Sequence, residues 1–374
     1  MSVWDSLLLL LSLFWLLQIS FSASLTWLSF FFRTSPKIKP IDNQKLTVSV
    51  VVAARNEALH LEVLLQALSG QKYHDFEIVV VNDRSTDQSA SLLDSWQQKI
   101  DKLRVINLQD KPDALDGKKN ALTQGIHAAR GAVILLTDAD CVPASTDWIE
   151  GMTKPFQDHN IQIVLGFSPY KYLPTWLNAF IQYETLYTAA QYWLACAWGI
   201  PYMGVGRNLA YRKSFFEQKQ GFSAWQHLKG GDDDLFVGQH AQAHNTLCVA
   251  EPAYHTLSEP ETSYSAWRSQ KYRHLSAGKR YLFKHKLRLG LWQLSQWAML
   301  GGISIMPFWI EEHPAIGWFL GFRYLCFTLG LWLLAKRLKI NLSIFLIFLF
   351  EFVYFLYYFV NLFEILRKQP VKWK

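Results

Sequence analysis

Cysteine is scarce in this sequence. The 374 residues include only four cysteines, at positions far apart and with no Cys-x-x-Cys pair. This spacing argues against a disulfide framework and against a cysteine-ligated zinc site, and it fits a protein that faces a reducing, cytosolic compartment. Internal repeats and low-complexity stretches are also missing.

Charge is nearly missing from four long stretches, residues 6–32, 291–310, 315–335 and 341–363. About 20 consecutive apolar residues are enough to cross a membrane as a helix. The chain also has 16 Trp, 16 Tyr and 25 Phe, whose rings concentrate at membrane interfaces. We therefore predict one N-terminal and about three C-terminal transmembrane helices in an integral membrane protein of the cell (inner) membrane.

Basic residues predict the orientation of these helices. Arg33, Lys37 and Lys39 follow the first stretch, whereas Asp5 is the only charge before it, so the residues after it are expected in the cytosol. Four spans would place the C-terminus outside, but the basic tail 366–374 favours the inside. One of the last three segments is then re-entrant or interfacial, and the sequence does not say which. The net charge of +7 indicates attraction to anionic membrane lipids rather than nucleic-acid binding.

Two charges lie inside the last predicted spans. Arg323 and Glu351 fall at similar depth when counted from opposite faces, and charges within a membrane tend to pair or to line a polar path. We predict that they form an ion pair; the alternative is that Glu351 faces a cavity for lipid head groups.

Asp138 and Asp140 follow an apolar, β-branched stretch, residues 132–137, that predicts a buried parallel strand. Ligands of open α/β sheets bind at the carboxyl ends of such strands. Two nearby carboxylates suit Mn²⁺ or Mg²⁺, which usually bridge to the phosphates of a substrate. The alternative is a surface aspartate pair that caps the next helix.

Two earlier strands are predicted to end at the same edge. Residues 46–54 lead into Arg55 and Glu57, and residues 76–81 lead into Asp83. Lys118 then opens another predicted helix, where a helix N-terminus and a lysine together favour phosphate. A solvated lysine is the alternative at that position.

Three further segments complete the pattern: residues 204–212 (Gly-Val-Gly-Arg-Asn-Leu-Ala-Tyr-Arg), 230–235 (Gly-Gly-Asp-Asp-Asp-Leu) and 270–274 (Gln-Lys-Tyr-Arg-His). With the motifs above, in this order, the chain resembles the membrane-bound inverting family 2 glycosyltransferases with the GT-A fold. Cellulose synthase, hyaluronan synthase, ceramide glucosyltransferase and dolichol-phosphate mannose synthase are members of that family. The resemblance extends over roughly residues 46–280 and implies an α/β domain with a Rossmann-like, mostly parallel sheet.

The resemblance implies a role for each matching residue. A nucleotide-diphosphate sugar would be the donor, and a lipid-linked or glycan hydroxyl would be the acceptor. A Mn²⁺ or Mg²⁺ ion would neutralise the leaving diphosphate, and an aspartate would act as general base, which gives inversion by a single displacement. The implied residues are Arg55, Glu57, Asp83, Lys118 and Asp138 for the donor, Asp138 and Asp140 for the metal, Asp232, Gln270 and Arg273 for catalysis, and Gly206, Asn208 and His274 on the acceptor side.

The chain departs from the family pattern at two positions. Gly231 stands where the base motif usually has Glu, so the base could be Asp232, Asp233 or Asp234; Asp232 is chosen because Asp234 then precedes the expected Leu. His274 replaces the usual Trp, which argues against a processive mode. A processive polysaccharide synthase and a catalytically inactive nucleotide-binding membrane scaffold remain the alternatives.

These observations predict the following division of the chain: an anchor over 1–33, a linker over 34–45, a cytosolic glycosyltransferase domain over 46–288, transmembrane helices over 289–365 and a basic tail over 366–374. The aromatic-rich residues 176–202 have two interpretations. They form either a buried helix within the domain or, as we favour, an amphipathic helix at the membrane surface where a lipid-linked acceptor arrives.

Overall fold

The computed structural model describes residues 3–31, 46–110, 117–228, 230–309 and 314–366. It divides into two compact units. The sheet unit comprises Arg33–Leu173, Ala195–Arg280 and Val371–Lys374. The helical unit comprises Met1–Phe32, Pro174–Leu194 and Tyr281–Pro370. The predicted linker 34–45 and nearly all of the basic tail 366–374 lie outside the described residues.

Nine strands form two sheets within the described part of the chain. The larger sheet has seven strands in the order β3-β2-β1-β4-β7-β6-β8, and β5 pairs with β9 in a small antiparallel ribbon. The strands are β1 Val48–Ala54, β2 Phe76–Asp83, β3 Leu103–Leu108, β4 Val133–Leu136, β5 Cys141–Pro143, β6 Ile163–Leu165, β7 Leu209–Arg212, β8 Thr246–Cys248 and β9 Thr256–Ser258.

Twelve α-helices are described. They are α1 Val3–Phe31, α2 Ala58–Ser69, α3 Ser89–Gln97, α4 Gly117–Ala128, α5 Trp148–Thr153, α6 Trp176–Ala197, α7 Lys213–Gln218, α8 Asp234–His240, α9 Tyr264–Gly278, α10 Phe283–Trp309, α11 Pro314–Arg337 and α12 Ile344–Leu366.

The centre of the large sheet is parallel, as predicted from the apolar runs. In the ladders, Val51 of β1 pairs with Val79 of β2 on one side and with Leu136 of β4 on the other. Only β7 runs antiparallel to its two neighbours. Because β1, β2 and β4 run in one direction, their carboxyl ends meet at one edge, where the predicted site residues follow them. The predicted α/β class with a mostly parallel sheet is confirmed.

Both faces of the parallel strands are covered. Helix α2 buries Leu61, Leu64, Leu65 and Leu68, a spacing that places all four on one helical face, and they join the apolar core on one side of the sheet. On the other side, α4 approaches so closely at Gly125 that a Cβ there would lie 2.7 Å from the Val51 side chain. Strands that are buried on both faces explain the continuous apolar runs in the sequence.

The helical unit contains a helix at each of the four predicted spans, namely α1, α10, α11 and α12. Among the described residues, two segments are long and apolar enough to cross a membrane, Ser12–Phe30 and Gly317–Arg337. Helices α1 and α11 approach closely at Gly330, where a Cβ would lie 2.9 Å from Thr26 Oγ1. Small residues permit such close crossings between apolar helices.

The predicted ion pair between Arg323 and Glu351 is confirmed. The Arg323 guanidinium donates to Glu351, and both side chains are almost completely buried. Arg323 Nη2 also donates to Gln18 Oε1 at 2.6 Å, and Gln18 Nε2 donates to Ser295 Oγ at 2.7 Å. This polar network therefore connects α1, α10, α11 and α12 within the helical unit.

Most of α6 is buried, which contradicts the prediction of an amphipathic surface helix for residues 176–202. Residues 174–194 group with the helical unit, and Tyr187 on α6 is almost fully buried there. Its ring contacts Phe21 of α1, Phe327 of α11 and Tyr354 of α12, and its hydroxyl accepts a hydrogen bond from Trp292 of α10. The aromatic residues of α6 thus form a central helix of the bundle, and their enrichment reflects packing between helices.

Candidate active site

The predicted metal-binding aspartates lie just past the end of β4, within the sheet unit. Asp138 and Asp140 are both half-buried, and a backbone hydrogen bond from Cys141 N to Asp138 O turns the chain between them into β5. Burial and the neighbouring Asp138 carboxylate raise the pKa of Asp140. A cation bound between the two carboxylates would favour the charged form of Asp140 against both effects.

Lys118, at the start of α4, contacts both a predicted metal ligand and the predicted base. Its Nζ lies 2.9 Å from Asp138 Oδ1 and 3.4 Å from Asp232 Oδ2. Burial opposes its charge, but the carboxylates of Asp138, Asp232 and Asp233 together raise the pKa of Lys118 well above its usual value. A permanently charged ammonium therefore lies between the candidate metal ligands and the candidate base.

Asp83 ends β2 close to the start of α4. It is buried and accepts a hydrogen bond from Arg84 Nε at 2.8 Å. A Cβ at Gly117 would lie 2.7 Å from Asp83 Oδ2, so the absence of a side chain at this position lets the helix start reach the strand end. The predicted role of Asp83 in binding the donor stays a prediction.

The turn after β1 carries Arg55, which is exposed, and Glu57, whose carboxylate lies 2.6 Å from His60 Nδ1. Burial raises the pKa of Glu57, and the charges of Asp140 and Asp138 add to the effect. Asn56 adopts a left-handed backbone conformation (φ 56°), and its side-chain oxygen accepts from the backbone N of Thr86 at 2.8 Å. This link between the two turns was not expected from the sequence.

The three consecutive aspartates have different surroundings. Asp233 accepts from Gly206 N at 2.7 Å and from Asp234 N at 2.8 Å, so it caps α8 and fixes the neighbouring turn. Asp232 instead faces Lys118. Burial works to raise the pKa of Asp232, but the charges of Lys118 and Lys119 outweigh it and lower this pKa. The candidate base Asp232 is therefore ionised, whereas the carboxylate of Asp233 accepts hydrogen bonds from two backbone N–H groups.

The loop before Asp232 is held by a lysine that the sequence did not single out. Lys119 is almost completely buried and donates to the carbonyl oxygens of Leu228 and Gly230. Gly230 and Gly231 have φ angles of 73° and 81°, in the region that favours glycine. This conformation gives a physical reason for Gly231 where the family pattern has Glu.

The predicted acceptor-side residues are not equivalent. Gly206 lies beside the candidate base, since a Cβ there would be 3.5 Å from Asp232 Oδ2. Asn208 is fully buried; its Nδ2 donates to Phe167 O at 2.8 Å and to Tyr254 O at 2.9 Å, and its Oδ1 accepts from Trp148 Nε1 at 3.0 Å. The prediction that Asn208 faces the acceptor is therefore wrong, because the side chain is engaged in the protein interior.

Helix α9 carries the last motif, starting from Ser263, which caps it by accepting from Ala266 N. Gln270 Oε1 accepts a long hydrogen bond (3.4 Å) from the Tyr170 hydroxyl. Arg273 is half-buried, and burial lowers its pKa. His274 is exposed.

The side chains present fit a divalent cation that a substrate helps to bind. Asp138 and Asp140 offer two carboxylates, and no group of three or more His, Cys, Asp or Glu side chains suited to a metal occurs among the described residues. Mg²⁺ and Mn²⁺ often take one or two protein carboxylates and complete their shell with water and substrate phosphates. A donor diphosphate could supply the missing oxygens.

Comparison with known proteins agrees with this fold. Residues 49–218 match the sequence model of glycosyl transferase family 2. The probable glycosyltransferase YdaM of Bacillus subtilis is 25% identical over 393 residues, covering 92% of this chain and 89% of YdaM. The dolichyl-phosphate β-glucosyltransferase of Mus musculus is 34% identical over 127 residues, covering 31% of this chain and 38% of the mouse protein.

The fold comparison points the same way. A mannosyltransferase from Pyrobaculum calidifontis, solved with GDP-Man and Mn²⁺, superimposes with a TM-score of 0.57 at 19% identity, covering 88% of this chain and 98% of the mannosyltransferase. The sheet unit therefore has a GT-A-like fold. The chain carries a glycosyl transferase family 2 domain. It is therefore a glycosyltransferase.

Proposed function

We propose that this enzyme transfers a sugar, with inversion, from a nucleotide-diphosphate sugar to a hydroxyl of a lipid-linked or glycan acceptor at the membrane surface. The observation that carries the proposal is the position of Lys118, whose ammonium contacts both Asp138 and Asp232. The candidate metal ligands and the candidate base thus belong to one site, as a reaction between a diphosphate leaving group and an attacking hydroxyl requires.

Asp232 is the general base in this proposal. Its pKa is lowered, so it is ionised at neutral pH and able to accept the proton of an attacking hydroxyl. The Asp233 carboxylate instead accepts hydrogen bonds from two backbone N–H groups. A single base without a carboxylate nucleophile corresponds to one displacement, and hence to inversion at the anomeric carbon.

Asp138 and Asp140 would hold Mn²⁺ or Mg²⁺, which supplies positive charge to the leaving diphosphate when bound. Lys118 would add a second positive charge there, and Arg273 on α9 a third. The remaining assignments are Arg55, Glu57 and Asp83 for the nucleotide, Gln270 for closing over the donor, and Gly206 and His274 for the acceptor side.

The membrane part of the proposal has four spans, corresponding to α1, α10, α11 and α12. Residues 1–33 would be an anchor, 46–288 the cytosolic glycosyltransferase domain and 289–365 the C-terminal spans, in the cell (inner) membrane. Two segments with sufficient length and apolarity support this arrangement. The buried pair of Arg323 and Glu351 also supports it, because charges inside a membrane are usually paired.

The test is release of nucleoside diphosphate by the full-length protein in lipid nanodiscs. A panel of UDP- and GDP-sugars is offered with Mn²⁺ or Mg²⁺ and membrane extract as the source of acceptor. Asp140→Asn and Asp232→Asn should each abolish metal-dependent release, whereas Asp94→Asn, an exposed position on α3, should not. Nucleotide binding without any turnover would contradict the proposal and favour an inactive scaffold.

A further inference from the structure

Arg207 is a cationic side chain in the candidate active site to which the sequence assigned no role. It lies in the short 3₁₀ turn Gly206–Asn208 that precedes β7. Its Nη1 donates to Ser258 Oγ at 2.8 Å, and its guanidinium carbon lies 4.4 Å from the centre of the Tyr170 ring. Two independent contacts therefore fix the plane of the guanidinium.

The charge of Arg207 is not neutralised by a direct partner. Within the described residues, no carboxylate lies within ion-pair distance of it, and Ser258 is the one hydrogen-bond acceptor of its five N–H donors. Its hydrogen-bond partner Ser258 Oγ lies 2.9 Å from Cys141 Sγ, and the same sulfur lies 3.4 Å from Oδ1 of the preceding residue, Asp140. The guanidinium is thus close to the candidate metal ligands and keeps most of its donors available.

The backbone at this turn also approaches the candidate base. Gly206, the preceding residue, donates its N–H to Asp233, and a Cβ on Gly206 would lie 3.5 Å from Asp232 Oδ2. Arg207 therefore extends from the neighbourhood of the base to the neighbourhood of the metal ligands. That is the region where the leaving group and the attacking group of a transfer reaction meet.

We propose that Arg207 forms a phosphoryl-binding subsite at the junction of donor and acceptor. A planar guanidinium matches the oxygens of a phosphate with paired N–H donors, and one that is already fixed loses little freedom on binding. The phosphoryl group belongs either to the diphosphate of the donor or to a phosphate on the acceptor. The inference rests on the proposed function, because both sources are substrates of that reaction.

The first experiment measures nucleotide binding by the full-length protein in nanodiscs. Kd values with Mn²⁺ are compared for UDP, GDP, uridine and guanosine, in the wild type and in Arg207→Gln. If the donor supplies the phosphoryl group, the diphosphate Kd rises roughly 10- to 100-fold, the range of a charge-assisted hydrogen bond, while nucleoside binding is unchanged. Arg104→Gln, an exposed arginine on β3 at the edge of the sheet, is the charge-matched control.

The second experiment identifies an acceptor phosphate. Turnover is compared in nanodiscs that contain phosphatidylglycerol, whose head group has a phosphate and free hydroxyls, or diacylglycerol, which has a free hydroxyl and no phosphate. An acceptor source predicts unchanged diphosphate binding in Arg207→Gln and a roughly 10- to 100-fold loss of turnover with phosphatidylglycerol only. Tyr170→Leu, which removes the supporting ring, should give a smaller loss in the same assay as Arg207→Gln.

A purely structural role for Arg207 would overturn the inference. It predicts a lower melting temperature for Arg207→Gln, with diphosphate binding and turnover in both nanodisc types equal to the wild type. Because the binding measurement requires no catalysis, its result is independent of the proposed reaction. A wild type that binds UDP or GDP without turnover would contradict the proposed function alone.

Discussion

Replacing Lys118 by methionine should move the acidic limb of the kcat/KM profile to higher pH. That limb reports the protonation of the free enzyme's general base, here Asp232. Lys118 lowers the pKa of this buried carboxyl. Without the Lys118 ammonium, less positive charge opposes the effect of burial, which raises the pKa of Asp232. Asp232 therefore takes up a proton at a higher pH.

The expected size follows from the distance between the charges. At 3.4 Å the attraction between Lys118 and Asp232 is about 5 kcal/mol for an effective dielectric constant of about 20, and about 1 kcal/mol in bulk water. Because the Lys118 side chain is 24% exposed and Lys119 is still present in the variant, we expect the loss of attraction to lie between these two limits. At about 1.4 kcal/mol per pKa unit, the limb should move upward by roughly 1 to 3 units.

The assay is initial-rate release of nucleoside diphosphate with subsaturating donor. The pH runs from about 2 to about 9, so that it begins below the ordinary aspartate pKa and ends above that of histidine. Lys118→Arg keeps the charge and should keep the limb near its wild-type position, even if donor binding weakens. An unchanged limb in Lys118→Met, in a protein that is folded and still active, would refute the assignment of Asp232 as the titrating base.

Three further substitutions test separate parts of the structure. Gly231→Ala should lower the melting temperature and kcat more than Gly230→Ala does. Both glycines have a positive φ, but only a Cβ at position 231 would lie 2.5 Å from a neighbouring leucine side chain. Asn208→Ala should destabilise the protein by about 2 to 4 kcal/mol, since it leaves buried polar groups without partners; denaturant unfolding that matches the wild type would contradict this. Arg323→Leu should reduce the amount of folded protein, and the double change with Glu351→Leu should restore it, because the single change leaves a buried charge unpaired; a fully stable single variant in nanodiscs would disprove the importance of the pair.

The parallel core and the metal-ligand strand could be predicted from the sequence because local patterns determine them. Residues 46–54, 76–81 and 132–137 are apolar on both faces, and only a strand covered on both sides uses such runs. Strands that run in one direction end at one edge, which is why Asp83 and Asp138 were expected at the same edge of the sheet. The pairing of Arg323 with Glu351 followed from depth along two helices of known rise.

Features that depend on distant segments could not be predicted. Lys119 is placed by carbonyl groups more than 100 residues away in the chain (109 for Leu228 and 111 for Gly230). A motif match gave Asn208 an acceptor role, although a match of residue type says nothing about the direction of a side chain. For α6, aromatic enrichment is the same for a helix at a membrane interface and for one inside a bundle, so composition could not decide between them.

Helix α6 also determines how the gene can be divided for experiments. The helical unit is assembled from three separate stretches of chain, and the middle stretch, Pro174–Leu194, interrupts the sheet unit. A fragment of residues 46–288 would carry this helix without α1, α11 and α12, and would expose the rings of Tyr183 and Tyr187 that these helices cover. Such a fragment should aggregate, and soluble expression of the glycosyltransferase part would require replacing that stretch by a short polar linker.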